Sequence, residues 1–339
     1  MALDPRVKNG QLMQEVQPAL RWQEGEDVLA WQARAREKLM ELLGWPLESC
    51  DDNKFRIEWT KEDDPTCVEI RFLFESEPGV EVPCHLLLPK AAKADKLPLF
   101  ICLQGHGTGM HISLGRTKFP GDEEDFEGDR DFGRQVIARG CAALAIEQRA
   151  MGERGSREDG SPNCTHPAMQ AIMLGRTIIG ERCWDVSRTI DVVETNFPMI
   201  DMGRICVMGN SGGGTTCIYA AALDTRIAAV MPSCSLCGYY ASIGAMQHCC
   251  CNYIPGIMKW FDMGDLAAMA APRAYVAVNG VTDASFPIES AKEQVQIARR
   301  VYEALGATDK LAHVIGPEGH RFYAAQAWPV FEQMTGWIE

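Results

Sequence analysis

The sequence predicts an α/β fold: a mostly parallel sheet with helices on both faces and an antiparallel hairpin at its front. Two observations carry this. From residue 98 onward, short apolar runs alternate with helical stretches of about ten residues or more. Parallel pairing requires crossovers of that length, and the crossovers cover both faces of the sheet. Before residue 90, Cys67–Phe74 and Val80–Leu88 flank Glu75-Ser76-Glu77-Pro78-Gly79, a turn by composition.

The elements follow in order. Gln11 to Leu43 carry helical periodicity through Val28, Leu29, Trp31, Leu39, Leu42 and Leu43, and Gly44-Trp45-Pro46 ends the run. Phe55–Trp59 reads as a strand ahead of the hairpin. The apolar runs Pro98–Leu103, Cys141–Ile146, Arg204–Met208, Ile227–Pro232, Arg273–Val278 and Lys310–Ile315 read as strands. Helices are expected at Phe132–Arg139, about His166 to Phe197, Gly212–Leu223, Ile288–Leu305 and about Arg321 to Ile338. The segment Gly115–Gly133 is acidic and reads as a solvated surface loop. The expected organisation is a helical extension over 1–50 and one α/β domain over 51–339, with an insert at about 233–272.

Composition narrows the function classes. With 33 Lys+Arg against 46 Asp+Glu, the net charge of −13 repels a phosphate backbone, so no nucleic-acid partner is expected. A chain of 339 residues buries about three quarters of its unfolded surface and needs neither disulfides nor metal for stability. The opening MALDPRVKNGQLMQEVQP has no apolar core of the signal-peptide kind, so the 14 Cys read as reduced thiols of a cytoplasmic protein. Ile227 to Met258 lacks Asp, Glu, Lys and Arg, yet contains no apolar run of about 18 residues, so no membrane span is expected.

Three elements bear chemistry. Met208-Gly209-Asn210-Ser211-Gly212-Gly213-Gly214 falls between an expected strand and an expected helix. A nucleophile on such a turn needs small neighbours two residues to either side, where the backbone doubles back; Gly209 and Gly213 occupy those positions. The turn has no Lys and no phosphate-loop pattern. A serine hydroxyl also needs a base, and the base needs a third group to orient it. Asp283, in Asn279-Gly280-Val281-Thr282-Asp283, and His320, in Gly316-Pro317-Glu318-Gly319-His320, both follow expected strands, on the same sheet edge as Ser211. Ser211 is the expected nucleophile, His320 the general base and then acid, and Asp283 the residue that orients it. Asp262 and Asp265 are the rival acids. In Gln104-Gly105-His106-Gly107-Thr108-Gly109, main-chain N–H groups of Gly107 or Thr108, with that of Gly212, are candidates for an oxyanion hole.

In this order, His106-Gly107-Thr108-Gly109, Gly209-Asn210-Ser211-Gly212-Gly213, Asp283 and His320 resemble the α/β-hydrolase superfamily. The resemblance covers about Phe55 to Glu339. Its texture is similar to the dienelactone-hydrolase-like and acetyl-xylan-esterase-like branch of serine esterases, through His85-Leu86-Leu87-Leu88-Pro89 and the segment Glu147 to Arg154. It implies an α/β-hydrolase fold and serine esterase activity on small acyl or carbohydrate esters. Two departures stand out. Dienelactone hydrolases use a cysteine where this chain has Ser211, and the better-known acetyl xylan esterases carry R-G-Q and a Gln after the nucleophile, where this chain has Gln148-Arg149-Ala150 and Gly212. A peptidase or thioesterase of the same fold, or a non-catalytic binding protein, are the alternatives.

Several residues have two readings. Arg149 is a substrate contact through its fork of donors, or an ion pair with Glu147 or Glu153 that pins a loop. Tyr239, Tyr240, Trp260 and Phe261 line an acyl or sugar pocket, or form core or a contact between copies in a homo-oligomer. Cys234-x-x-Cys237 with His248-Cys249-Cys250-Cys251 has the makings of a zinc site, but buried thiols acting as small apolar side chains are the commoner arrangement. No metal and no organic cofactor is expected.

Overall fold

A computed structural model describes residues 3–91 and 94–338. Nine strands form one sheet: β1 (Arg56–Lys61), β2 (Cys67–Glu77), β3 (Val80–Pro89), β4 (Leu97–Leu103), β5 (Ala142–Ile146), β6 (Ile200–Asn210), β7 (Ala229–Ser233), β8 (Ala274–Gly280) and β9 (Leu311–Gly316). The spatial order is β1-β2-β3-β5-β4-β6-β7-β8-β9. The first three strands are antiparallel, β3 joins β5 antiparallel, and the six from β5 to β9 run parallel. The expected hairpin is β2–β3, pairing Cys67 with Pro89.

Among the described residues ten α-helices accompany the sheet: α1 (Pro5–Glu15), α2 (Val28–Leu43), α3 (Asp122–Glu127), α4 (Phe132–Ile137), α5 (Thr165–Met173), α6 (Ile178–Asn196), α7 (Gly212–Leu223), α8 (Met263–Ala268), α9 (Ile288–Ala304) and α10 (Ala324–Thr335). Strand side chains alternate between the faces. On β4, Leu99, Ile101 and Leu103 enter a core with α2, α6, α7, α8 and α9, while Phe100 and Cys102 meet Phe132 of α4 and Trp328 and Phe331 of α10. That two-sided burial is why the central strands read as unbroken apolar runs.

Three expectations are corrected. The N-terminal periodicity is two helices, because Pro18 and Gly25 interrupt it between α1 and α2. The long helix before the elbow is likewise two, α5 and α6, broken at Gly175, which adopts φ 72°. Gly115–Gly133 is not simply a solvated loop. It contains α3, and Asp122 is 1% exposed, bonded to His111 Nε2 at 2.8 Å and to the backbone N–H groups of Lys118 and Phe119. Among the described residues no helix is long and apolar enough to cross a membrane.

Candidate active site

Ser211 sits between β6 and α7 with φ 56° and ψ −120°. A non-glycine residue pays for such a backbone, and strain of this kind concentrates at functional sites. The turn closes because its flanking glycines lie against β4. A Cβ at Gly209 would meet the Leu103 carbonyl oxygen at 2.5 Å, and one at Gly213 would come closer still. The Ser211 N–H donates to Ser233 O at 2.8 Å, tying the elbow to the end of β7.

Asp283 and His320 meet. His320 Nδ1 lies 2.8 Å from Asp283 Oδ2, while Asp283 Oδ1 accepts the N–H groups of Ser285 at 2.9 Å and Phe286 at 3.2 Å. Their loops are laced together by Val281 N–H to Gly316 O and Thr282 N–H to Glu318 O. Burial raises the Asp283 carboxyl, but the hydrogen bond and charge of His320 outweigh it and hold the group below its usual range. Phe286 stacks on the His320 ring, 5.8 Å between centroids and 18° between planes. With Nδ1 engaged, Nε2 is the ring nitrogen left for another partner. Among the described residues no hydrogen bond joins His320 to Ser211 in this conformation. Such contacts are often long before substrate binds.

The rival residues are committed elsewhere. Asp262 caps α8 in a reciprocal capping box with Asp265, and Asp265 pairs with Arg21 at 3.1 Å. His85 bonds Glu69, His111 bonds Asp122, and His313 bonds Asn279.

The loop after β4 reaches the elbow through Gly105 and His106. The residues against the elbow are Gly105, whose Cβ would lie 3.1 Å from Ser211 Cβ, and His106, whose ring lies 2.6 Å from a Cβ built on Gly212. The Gly107 N–H turns back to Gly105 O at 2.8 Å, and a Cβ at Gly107 would face Asp125 and Ile112. The Thr108 hydroxyl bonds Asp122.

Glu147 anchors this loop from below. It is 2% exposed and accepts the N–H groups of Met110 and Glu153. Burial pushes its carboxyl up to about 7 against the lowering effect of those N–H groups. A carboxyl whose folded pKa lies above its unfolded value binds extra protons when folded, so its contribution to stability falls as pH rises from about 4.5 through about 7. Over that window wild type is expected to lose up to about 3 kcal/mol relative to Glu147→Gln. Denaturant unfolding of both proteins at pH 5 and pH 8 reads this difference, and parallel pH profiles would refute it.

For Arg149 the structure gives an ion-pair role, with different partners from those expected. Its guanidinium meets Asp185 at 2.8 and 3.0 Å, Glu77 at 2.7 Å and Glu181 at 3.2 Å. No donor edge is left for a substrate. Tyr239 is buried with its hydroxyl bonded to that of Tyr219. Trp260 faces the N-terminal helices, with Lys38 Nζ 4.4 Å from its ring centre and its carbonyl accepting the Leu20 N–H. Tyr239 and Tyr240 both border a cleft of about 1490 Å³ beneath α1, together with Met13, Val16 and Ile254; Ser211, Asp283 and His320 do not border it.

Nothing in the sequence marks Phe286 at this site, and its motifs group His248 and Cys234 as thiol and imidazole neighbours in the insert, not as neighbours of the Asp283–His320 pair. His248 meets Phe286 edge-on at 5.5 Å and Ser242 Oγ at 3.2 Å. Cys234 takes φ 45°, and its sulfur lies within 4.8 Å of the Asp283 and His320 donor atoms. Phe286 stands three residues past Asp283; the motifs that hold Cys234 and His248 say nothing of Asp283 or His320. The thiols also group differently from the spacing. Cys234 and Cys237 pack with Phe286, whereas Cys249, Cys250 and Cys251 pack with Cys164, Ala150 and Ile178.

The model of the Abhydrolase family matches residues 7–312. Over 293 residues, 85% of this chain and 93% of the other, the sequence is 23% identical to "Putative hydrolase YtaP" of Bacillus subtilis (strain 168). Among solved structures, a "putative acetyl xylan esterase" from Bacteroides fragilis NCTC 9343 superposes with a TM-score of 0.78 at 18% identity, covering 93% of this chain and 83% of that one. A glucuronoyl esterase from Solibacter usitatus gives a TM-score of 0.70 at 14% identity, over 96% of this chain and 99% of that one. At these identities the solved structures speak to fold.

Proposed function

Because this chain belongs to the Abhydrolase family of α/β-hydrolases, we propose that it is a serine esterase acting on small acyl esters, with acetyl groups on carbohydrate as the leading substrate class. The observation that carries the reading is the strained Ser211 at the strand–helix elbow, on the same sheet edge as a formed His320–Asp283 pair. Ser211 Oγ attacks the ester carbonyl while His320 Nε2 takes its proton; His320 then returns the proton to the departing alcohol. Water, activated by the same imidazole, releases the acid from the acyl-enzyme. The Gly212 N–H, at the start of α7, and the His106 main-chain N–H, beside the elbow, supply the oxyanion donors, in place of Gly107 and Thr108.

The carbohydrate preference rests on the fold shared with structures named as a "putative acetyl xylan esterase" and a glucuronoyl esterase. A fluorophosphonate probe is expected to label one residue, Ser211. Hydrolysis of p-nitrophenyl acetate, butyrate and octanoate beside acetylated xylo-oligosaccharides reads the substrate. Turnover confined to the acetates supports the carbohydrate reading; a maximum at octanoate keeps the mechanism and discards the sugar. Labelling at another residue would sink both.

A further inference from the structure

The side chains of His106, Cys164, Cys249 and Cys251 arrive from three separate stretches of chain: the loop after β4, the N-cap of α5, and the short turn around residues 249–252. Their donor atoms, one imidazole nitrogen and three sulfurs, all lie within 4.8 Å of one another. His106 Nε2 is 3.0 Å from Cys251 Sγ. Cys164 and Cys251 are 3% and 2% exposed, and Cys249 and His106 are half-buried. A tetrahedral zinc ion, with sulfurs at about 2.3 Å and nitrogen at about 2.0 Å, holds its ligands roughly 3.5–3.8 Å apart, so the cluster closes on one with shifts of about 1 Å or less, His106 Nε2 and Cys251 Sγ moving slightly apart and the wider pairs together.

A second observation points to the same ligand. Arg182, on α6, is 1% exposed, and among the described residues its guanidinium pairs with no carboxylate. Its Nε and Nη2 donate to Arg149 O, and Nη2 also reaches Cys164 Sγ at 3.2 Å. Nη1 is buried and has no acceptor among the described residues. A permanent buried cation needs a nearby anion. Three neutral thiols do not provide one, and a disulfide would remove two thiols and still leave none. A divalent cation with three thiolates and a neutral imidazole carries one net negative charge, beside that guanidinium.

We infer that His106, Cys164, Cys249 and Cys251 form a binding site for one zinc-class divalent cation, held as a three-thiolate, one-imidazole centre. Binding forms three metal–sulfur bonds and one metal–nitrogen bond and releases three thiol protons to solvent. The ligand set leaves no open position, which is the pattern of a structural site. It fastens the loop beside Ser211 and the segment after β7 to the start of α5. The site does not depend on the esterase reading, and the four ligands are not the four that the Cys-x-x-Cys spacing singles out.

The test uses the full chain, reduced with a phosphine, stripped with a chelator and titrated with Co(II) and then Zn(II). One equivalent of Co(II) per chain is expected, with sulfur-to-cobalt charge-transfer absorption and the intense visible bands of a tetrahedral centre, displaced by one equivalent of Zn(II). Cys164→Ser/Cys251→Ser should lose that uptake, and Cys250→Ser should keep it. Wild-type uptake below about a tenth of an equivalent, or a weak octahedral spectrum, overturns the assignment. So does undiminished uptake by the double variant. The wild-type titration decides even if the double variant does not fold. Fluorophosphonate labelling in parallel reports on Ser211 separately, so loss of one reading leaves the other measurable.

Discussion

Ser211→Ala is expected to lower kcat on p-nitrophenyl acetate by about 10⁴- to 10⁶-fold while leaving the fold intact. The size follows from what the hydroxyl does. Without Oγ there is no acyl-enzyme, and the remaining rate is what two oriented N–H donors and bound substrate provide to direct attack by water. Alanine keeps the Cβ that serine already carries at φ 56°, so the backbone strain is unchanged and the loss cannot be assigned to a relaxed turn. Ser211→Gly makes the complementary point. It should be just as inactive, yet more stable than Ser211→Ala by about 1 kcal/mol, since glycine accepts positive φ without a clash. Stopped kinetics with unchanged unfolding is the signature; a rate within tenfold of wild type would move the chemistry away from the elbow.

How far the sequence foretold this site depended on how local each signal was. Gly209 and Gly213 announce the elbow because the clash they avoid, with the end of β4, is fixed by the strand–turn–helix itself. Asp283 and His320 were legible through order: each follows a parallel strand, and parallel strands deliver such loops to one edge. The β2–β3 hairpin was legible through its turn chemistry. The loop after β4 was legible as a glycine-rich turn, but its register against Ser211 is set by Glu147 holding Met110 and by Asp122 holding Thr108. Those contacts span sequence separations on which no local pattern reports. The thiol grouping failed for the same reason. Cys234-x-x-Cys237 is conspicuous as text, whereas Cys164, which joins Cys249 and Cys251, lies before the elbow and stands alone in the sequence. Arg149 shows that a striking residue near a sheet edge need not face solvent: four groups from two elements, Ser76 and Glu77 of β2 and Glu181 and Asp185 of α6, enclose it, and none is Glu147 or Glu153.

Asp283→Asn is expected to cost about 10³- to 10⁴-fold in kcat, through the tautomer of His320 and not through charge alone. Asp283 Oδ1 is held by the N–H groups of Ser285 and Phe286, and an asparagine there keeps its carbonyl oxygen on those donors. Its NH₂ then occupies the Oδ2 position, 2.8 Å from His320 Nδ1. Two donors cannot share that contact, so Nδ1 gives up its hydrogen and the imidazole proton moves to Nε2. The nitrogen that should accept from Ser211 becomes a donor, and the base is lost with the geometry intact. Asp262→Asn is the control. Asp262 caps α8 through Oδ1, which accepts the N–H groups of Tyr239 and Met263 and which an asparagine carbonyl replaces. Its Oδ2 accepts Gln294 Nε2 and would become a donor, so its replacement should lower stability by about 1 kcal/mol and leave the rate within a few-fold. The reverse pattern, a fast Asp283→Asn and a dead but folded Asp262→Asn, would transfer the acid to α8 and require His320 to turn away from Asp283.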